Sequence, residues 1–139
     1  MYDRTRKSNF QILIAVFLLF TLVFSLCSCK DNTEKLLKKS TSEIIGAAIN
    51  KDQNAATELL KEYYAPDESE LMYMDLAATL EGVSSFKLKS CKFETVKLDE
   101  KNLITMTAQL KTNKGDFVLE THTYTGSSGI AHITVTPKE

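Results

Sequence analysis

The spacing of apolar residues changes period at Ser84, and this change most constrains the fold. Before it, apolar side chains recur every three or four residues, as on a helix; after it they alternate, as on a strand. A chain that spends its first half on helices and its second on consecutive strands has the α+β pattern, with helices laid on one face of an antiparallel sheet.

The helical half divides into three. Leu37, Thr41, Ile44 and Ala48, with Ile45 and Ile49 beside them, predict a helix from about Thr33 to Asn50. Its Lys35, Lys38 and Lys39 predict a solvated first half. Asn50-Lys51-Asp52 breaks it, and Asp52 is a good N-cap for a second helix from Gln53 to about Ala65, facing inward through Ala56, Leu59, Leu60 and Tyr63. Pro66 ends that helix. Asp67, with Glu70 three residues on, predicts a capped third helix to Glu81, stopped by Gly82. Leu71, Met74, Ala77, Ala78 and Leu80 are its expected buried side, widened by Met72 and Leu76.

The strand half begins with Phe86 to Leu98. Its inward set passes from Phe86 and Leu88 to Cys91 and Phe93, then to Val96 and Leu98, which predicts bulges and a bent strand. A turn at Asp99 to Asn102 leads to Ile104, Met106, Ala108 and Leu110, alternating with polar residues in a half-buried strand. Asn113 to Asp116 is the next turn. Phe117 to Thr125 and Ile130 to Thr136 are the last strands, joined by Gly126-Ser127-Ser128-Gly129. Short turns between consecutive strands predict an antiparallel meander. The expected architecture is three N-terminal helices packed on a curved four-stranded sheet.

Ahead of this domain lies a segment of another kind. Arg4, Arg6 and Lys7 precede a stretch from Ile12 to Leu26 without a charged residue, the pattern of an export signal. Leu26-Cys27-Ser28-Cys29 resembles the lipobox of a bacterial lipoprotein, in which Cys29 is acylated and becomes the first mature residue. Cys27 fits that role less well, because Leu26 would then occupy the small-residue position. The alternative is an uncleaved anchor, since Phe10 to Cys29 comes close to the about 20 apolar residues that span a bilayer. The resemblance implies a signal peptide over 1–28, a tether over 29–33, a single domain over 34–139 and a mature chain held at a membrane outside the cytoplasm.

The full chain has 17 Lys and Arg against 18 Asp and Glu, and residues 1–28 hold three and one of these. The mature part then carries 14 against 17, a net charge of −3. Such a domain has neither the electrostatic footprint of a nucleic-acid binder nor a polybasic face for anionic lipid. Roughly 110 residues make one domain, large enough to fold without a disulfide or metal. Cys91 is left alone and alternates with Phe93, as a buried apolar residue would.

Three helices followed by a bent antiparallel sheet resembles the cystatin-like, or nuclear transport factor 2-like, superfamily. Ile44 to Ile49 looks like the end of its first helix, and Lys51-Asp52-Gln53-Asn54-Ala55-Ala56 like the lysine-glycine-aspartate turn and aromatic-x-alanine start that follow. Lys51 stands where glycine is usual and Asn54 where an aromatic is usual. The resemblance implies a fold and a compartment more than a reaction. Enzymes of the superfamily use a pocket between sheet and helices, so Asp75, His122 and His132 are candidate bases, and Tyr63, Met72, Tyr73 and Asp75 are the candidates to line a pocket. Pairing Thr125 with Ile130 across the loop would put His122 and His132 on opposite faces, unable to share an ion, whereas a one-residue change of loop length would align them. No phosphate loop, CxxC pair or nucleophile elbow occurs. The expected role is non-enzymatic, binding an envelope protein or small ligand, with no cofactor, metal or nucleic acid. The alternative is an isomerase- or hydrolase-like enzyme.

Overall fold

A computed structural model describes residues 32–139. The signal segment, the lipobox residues Leu26, Cys27 and Ser28, Cys29 and the start of the tether lie outside the described residues. Helix α1 occupies residues 32–49. The expected stripe Leu37, Thr41, Ile44, Ile45 and Ala48 is buried, while Lys35, Lys38 and Lys39 are exposed. Thr33, assigned above to the tether, is itself buried, so the folded unit starts there.

The end of α1 is set by a Schellman arrangement. The Asp52 N–H donates to the Ala47 carbonyl at 2.8 Å and the Lys51 N–H to that of Ala48 at 3.4 Å. This geometry requires a left-handed residue, and Lys51 adopts it with φ 57°. Asp52 then caps helix α2 (Gln53–Leu60), accepting from the Ala55 N–H at 3.2 Å.

Helix α2 stops five residues before the expected end. Pro66 restricts Ala65 to extended backbone, φ −64° and ψ 157°, and the chain turns through residues 61–64 to meet it. Helix α3 (Pro66–Thr79) begins at that proline. Its N-terminal partner is Glu68, whose Oε2 accepts from the Ala65 N–H at 3.3 Å, in place of the expected Asp67 and Glu70 pairing. Gly82, with φ 81°, completes the turn after the helix.

The buried face of α3 also differs from the expected one. Ser69, Tyr73, Leu76 and Leu80 point inward, with Met72 and Ala77 at the edge; Leu71, Met74 and Ala78 are exposed. This helix carries apolar residues around its whole circumference, so periodicity could not choose a side. The polar Ser69 heads the stripe that tertiary packing selects.

The sheet is an antiparallel meander, β1-β2-β3-β4, formed by β1 (Phe86–Lys97), β2 (Asn102–Thr112), β3 (Gly115–Tyr124) and β4 (His132–Pro137). One bulge interrupts β1 between Lys89 and Lys92, with Ser90 at φ 55°. It returns Cys91 and Phe93 to the inner face after Phe86 and Leu88, and both pack on the core. The expected second switch does not occur. Val96 pairs with Leu103 on the opposite face, and Val96 and Leu98 are exposed.

Phe93, Met106, Thr121 and Ile133 form one inner row across all four strands. Against it, Thr41 of α1 shares a 3.2 Å hydrogen bond with Thr121, and both hydroxyls are sealed from solvent. Thr41 also donates to the Leu37 carbonyl at 2.7 Å, so the pair carries its polarity into the core without an unmet donor.

The β3–β4 connection is wider than the four-residue loop expected. Residues 125–131 leave the sheet and dock on the helices. Ile130 is fully buried and its N–H donates to the Leu59 carbonyl at 2.8 Å. That carbonyl lies in the last turn of α2, where intrahelical partners run out. The Ser127 hydroxyl donates to Glu62 Oε2 at 2.7 Å, the Ser40 hydroxyl to the Ser128 carbonyl at 3.1 Å, and the Thr123 hydroxyl to the Gly129 carbonyl at 2.8 Å.

Two substitutions test these backbone assignments in opposite directions. A Cβ at Gly129 would lie 2.8 Å from Glu62 Oε2 and 3.2 Å from Glu62 Cβ. Gly129→Ala should therefore displace Glu62 from Ser127 and cost about 1–2 kcal/mol. Lys51→Gly should stabilise by about 1 kcal/mol by relieving the left-handed lysine. Urea unfolding followed by circular dichroism measures both.

Candidate binding surface

The outer face of α3 presents Leu71 and Met74 at 66% and 56% exposure, with Ala78 one turn further on. These residues follow i, i+3, i+7 spacing, so they form one stripe on the side of the helix away from Tyr73 and Leu76. Asp67, Glu68, Glu70 and Asp75 are exposed around it, and α3 contains no basic residue. The result is an apolar ridge with an acidic border.

The four residues that sequence suggested for a pocket do not share a face. Tyr73 is buried in the core and Met72 packs at its edge. Asp75 is exposed on the outer side of α3. Tyr63 stacks at a tilt on Tyr124, ring centres 5.6 Å apart, beyond the end of α2. Among the described residues, the Tyr63 hydroxyl and the buried Ser69 hydroxyl have no hydrogen-bond partner. Cys91 is a free thiol, half-buried against the core.

A shallow cleft of about 360 Å³ lies between α2 and α3, lined by Gln53, Thr57, Lys61, Tyr64, Ser69 and Glu70 among others. Its lining is mixed in charge, and Lys61 is drawn to Glu58 at 2.6 Å. Tyr64, next to Tyr63 at the corner that follows α2, belongs to this lining. Its hydroxyl donates to the Ala131 carbonyl, fastening the β3–β4 loop to the corner between the helices. Partial burial, and then the charge of Glu68, raise the Tyr64 phenol above its ordinary value.

The two histidines are placed differently from expectation. β3 and β4 pair with His122 directly opposite His132, one residue out of the register assumed from the loop. Ala131, whose N–H donates to the His122 carbonyl at 2.9 Å, belongs to the loop and sets this alignment. Both rings therefore lie on the outer face of the sheet.

Among the described residues, no helix is long and apolar enough to cross a membrane. No protein-family model matches the chain, and no curated protein sequence is similar to it.

Tyr64 supplies a pH test of the loop. The folded protein holds the phenol proton more tightly than the unfolded chain, so this contribution to stability is complete below the unfolded value of about 10 and is lost as pH rises through the higher folded value. Wild-type protein should lose stability in that alkaline range. Tyr64→Phe should start less stable, by about 1 kcal/mol from the lost hydrogen bond, and show a flatter decline. Denaturant melts between neutral pH and pH 11 read the two slopes.

Proposed function

We propose that this protein is a lipid-anchored cell-envelope protein whose external domain, of cystatin-like type, binds a protein partner through the outer face of α3. The observation that carries the binding reading is the Leu71, Met74 and Ala78 stripe, an apolar ridge on a helix whose other side is already committed to the core. Its acidic border selects the partner's chemistry: an apolar groove edged by lysine or arginine, with the charges steering the encounter and the side chains supplying contact area.

The cystatin-like reading rests on the element order and on one backbone detail. Lys51, at the position where glycine is usual in that superfamily, has the left-handed conformation that favours glycine. A sheet curved by the β1 bulge belongs to the same reading. Anchoring rests on the basic, apolar and Leu26-to-Cys29 pattern, with Cys29 carrying the lipid. One acyl chain gives marginal membrane binding, and two or more hold a protein stably.

Intact mass spectrometry of the chain from its own membranes should give a mature species beginning at Cys29 plus a diacylglyceryl group. Cys29→Ser should move the protein out of the membrane fraction, and a mass retaining Met1 would overturn the lipoprotein reading. For the binding face, a photo-crosslinking residue at position 71 in the full chain should capture one dominant protein, and the same residue at the exposed Lys111 should not. Leu71→Glu with Met74→Glu should change stability by less than about 0.5 kcal/mol and reduce that capture at least about tenfold. Equal yields at positions 71 and 111 would overturn the assignment of the face.

A further inference from the structure

We infer that the outer face of the β3–β4 pair is a binding site for a divalent transition-metal ion, held by His122 and His132 with Glu120 as the third donor. The two imidazoles face each other across directly paired positions, with ring centres 5.4 Å apart. Metal–nitrogen bonds of about 2.1 Å at a tetrahedral angle put two ring centres about 5 Å apart, so the observed spacing suits a shared ion.

The surroundings of His122 prepare it for this role. Its Nδ1 lies 2.9 Å from the Thr105 hydroxyl on the neighbouring strand, and its Nε2 lies 2.9 Å from Glu120 Oε1. Once a cation displaces the proton that Nε2 shares with Glu120, the remaining ring proton sits on Nδ1 and is donated to the Thr105 hydroxyl, so Nε2 offers its lone pair while the ring keeps its orientation. A hydrogen bond on the far nitrogen is the usual support for a metal-bound histidine. Glu120 stands two residues before His122 on the same strand and the same face.

As placed, no three such side chains among the described residues converge on one point. The Glu120 carboxylate is turned onto Nε2, where an arriving cation replaces the shared proton. His132 and Glu120 are exposed, so rotation of their side chains completes the donor set without moving backbone. Two imidazoles and a carboxylate suit Zn²⁺, with open positions left to water.

Zn²⁺ titrated into the full-length chain in detergent provides the test. The chain has two histidines, so imidazole proton resonances report both donors. Both should shift together, saturating at one ion per chain, and the thermal midpoint should rise. Affinity should fall on acidification as protons compete for the same lone pairs. His132→Ala should weaken binding at least tenfold, and Glu120→Gln several-fold, with the metal-free melting temperature unchanged. Response of one histidine alone, no saturation below millimolar Zn²⁺, or unaltered affinity in His132→Ala would overturn the site. Unaltered affinity in Glu120→Gln would overturn the three-donor assignment.

Discussion

The hydrogen bond from the Ile130 N–H to the Leu59 carbonyl ties the two halves of this domain together. A helix end leaves carbonyls without partners, and a loop that leaves its sheet leaves N–H groups in the same condition. Here each supplies what the other lacks, in a setting where Ile130 is closed to solvent. Around this bond, Ser127 reaches Glu62, Ser40 reaches the loop backbone, and Tyr64 fastens Ala131. The loop is thereby a third wall of the core, beside the helices and the sheet.

This docking explains features that look unrelated. Helix α2 is short because the chain must turn early enough to bring Tyr64 onto the loop. Gly129 is small because Glu62 packs against its backbone. β4 is short, and its register is fixed by where Ala131 re-enters the sheet. The facing of His122 and His132 is thus set from the helical side of the molecule, by contacts remote from the imidazoles.

Local chemistry made much of the architecture legible in the sequence. The α1 stripe, the Asp52 cap, the break at Lys51, the first of the expected bulges in β1 and the meander all follow from neighbouring residues, and each of these stands as read. Among the features that were not legible, three had separate reasons. α3 has apolar residues on every side, so its buried face depends on what packs against it. Val96 and Leu98 look like strand interior, but without a second bulge Val96 stays on the outer face and Leu98 lies past the end of β1. The histidine register depends on a loop whose path is decided by α2, information that no window around residues 122–132 contains. The outer stripe of α3 was visible as Leu71, Met74 and Ala78, but on the wrong side of the helix.

The burial of Thr33 bears on reach. With lipid on Cys29, three residues separate the bilayer from a side chain already inside the fold, a span of about 10 Å at full extension. Under the lipid-anchored reading, a domain on so short a lead would not sample the depth of an envelope. On the proposed anchor it would diffuse in the plane of that membrane and meet partners that share the surface or press close to it. Confinement of this kind raises local concentration without adding a contact, so a modest apolar ridge can serve where a freely diffusing protein would need a larger one.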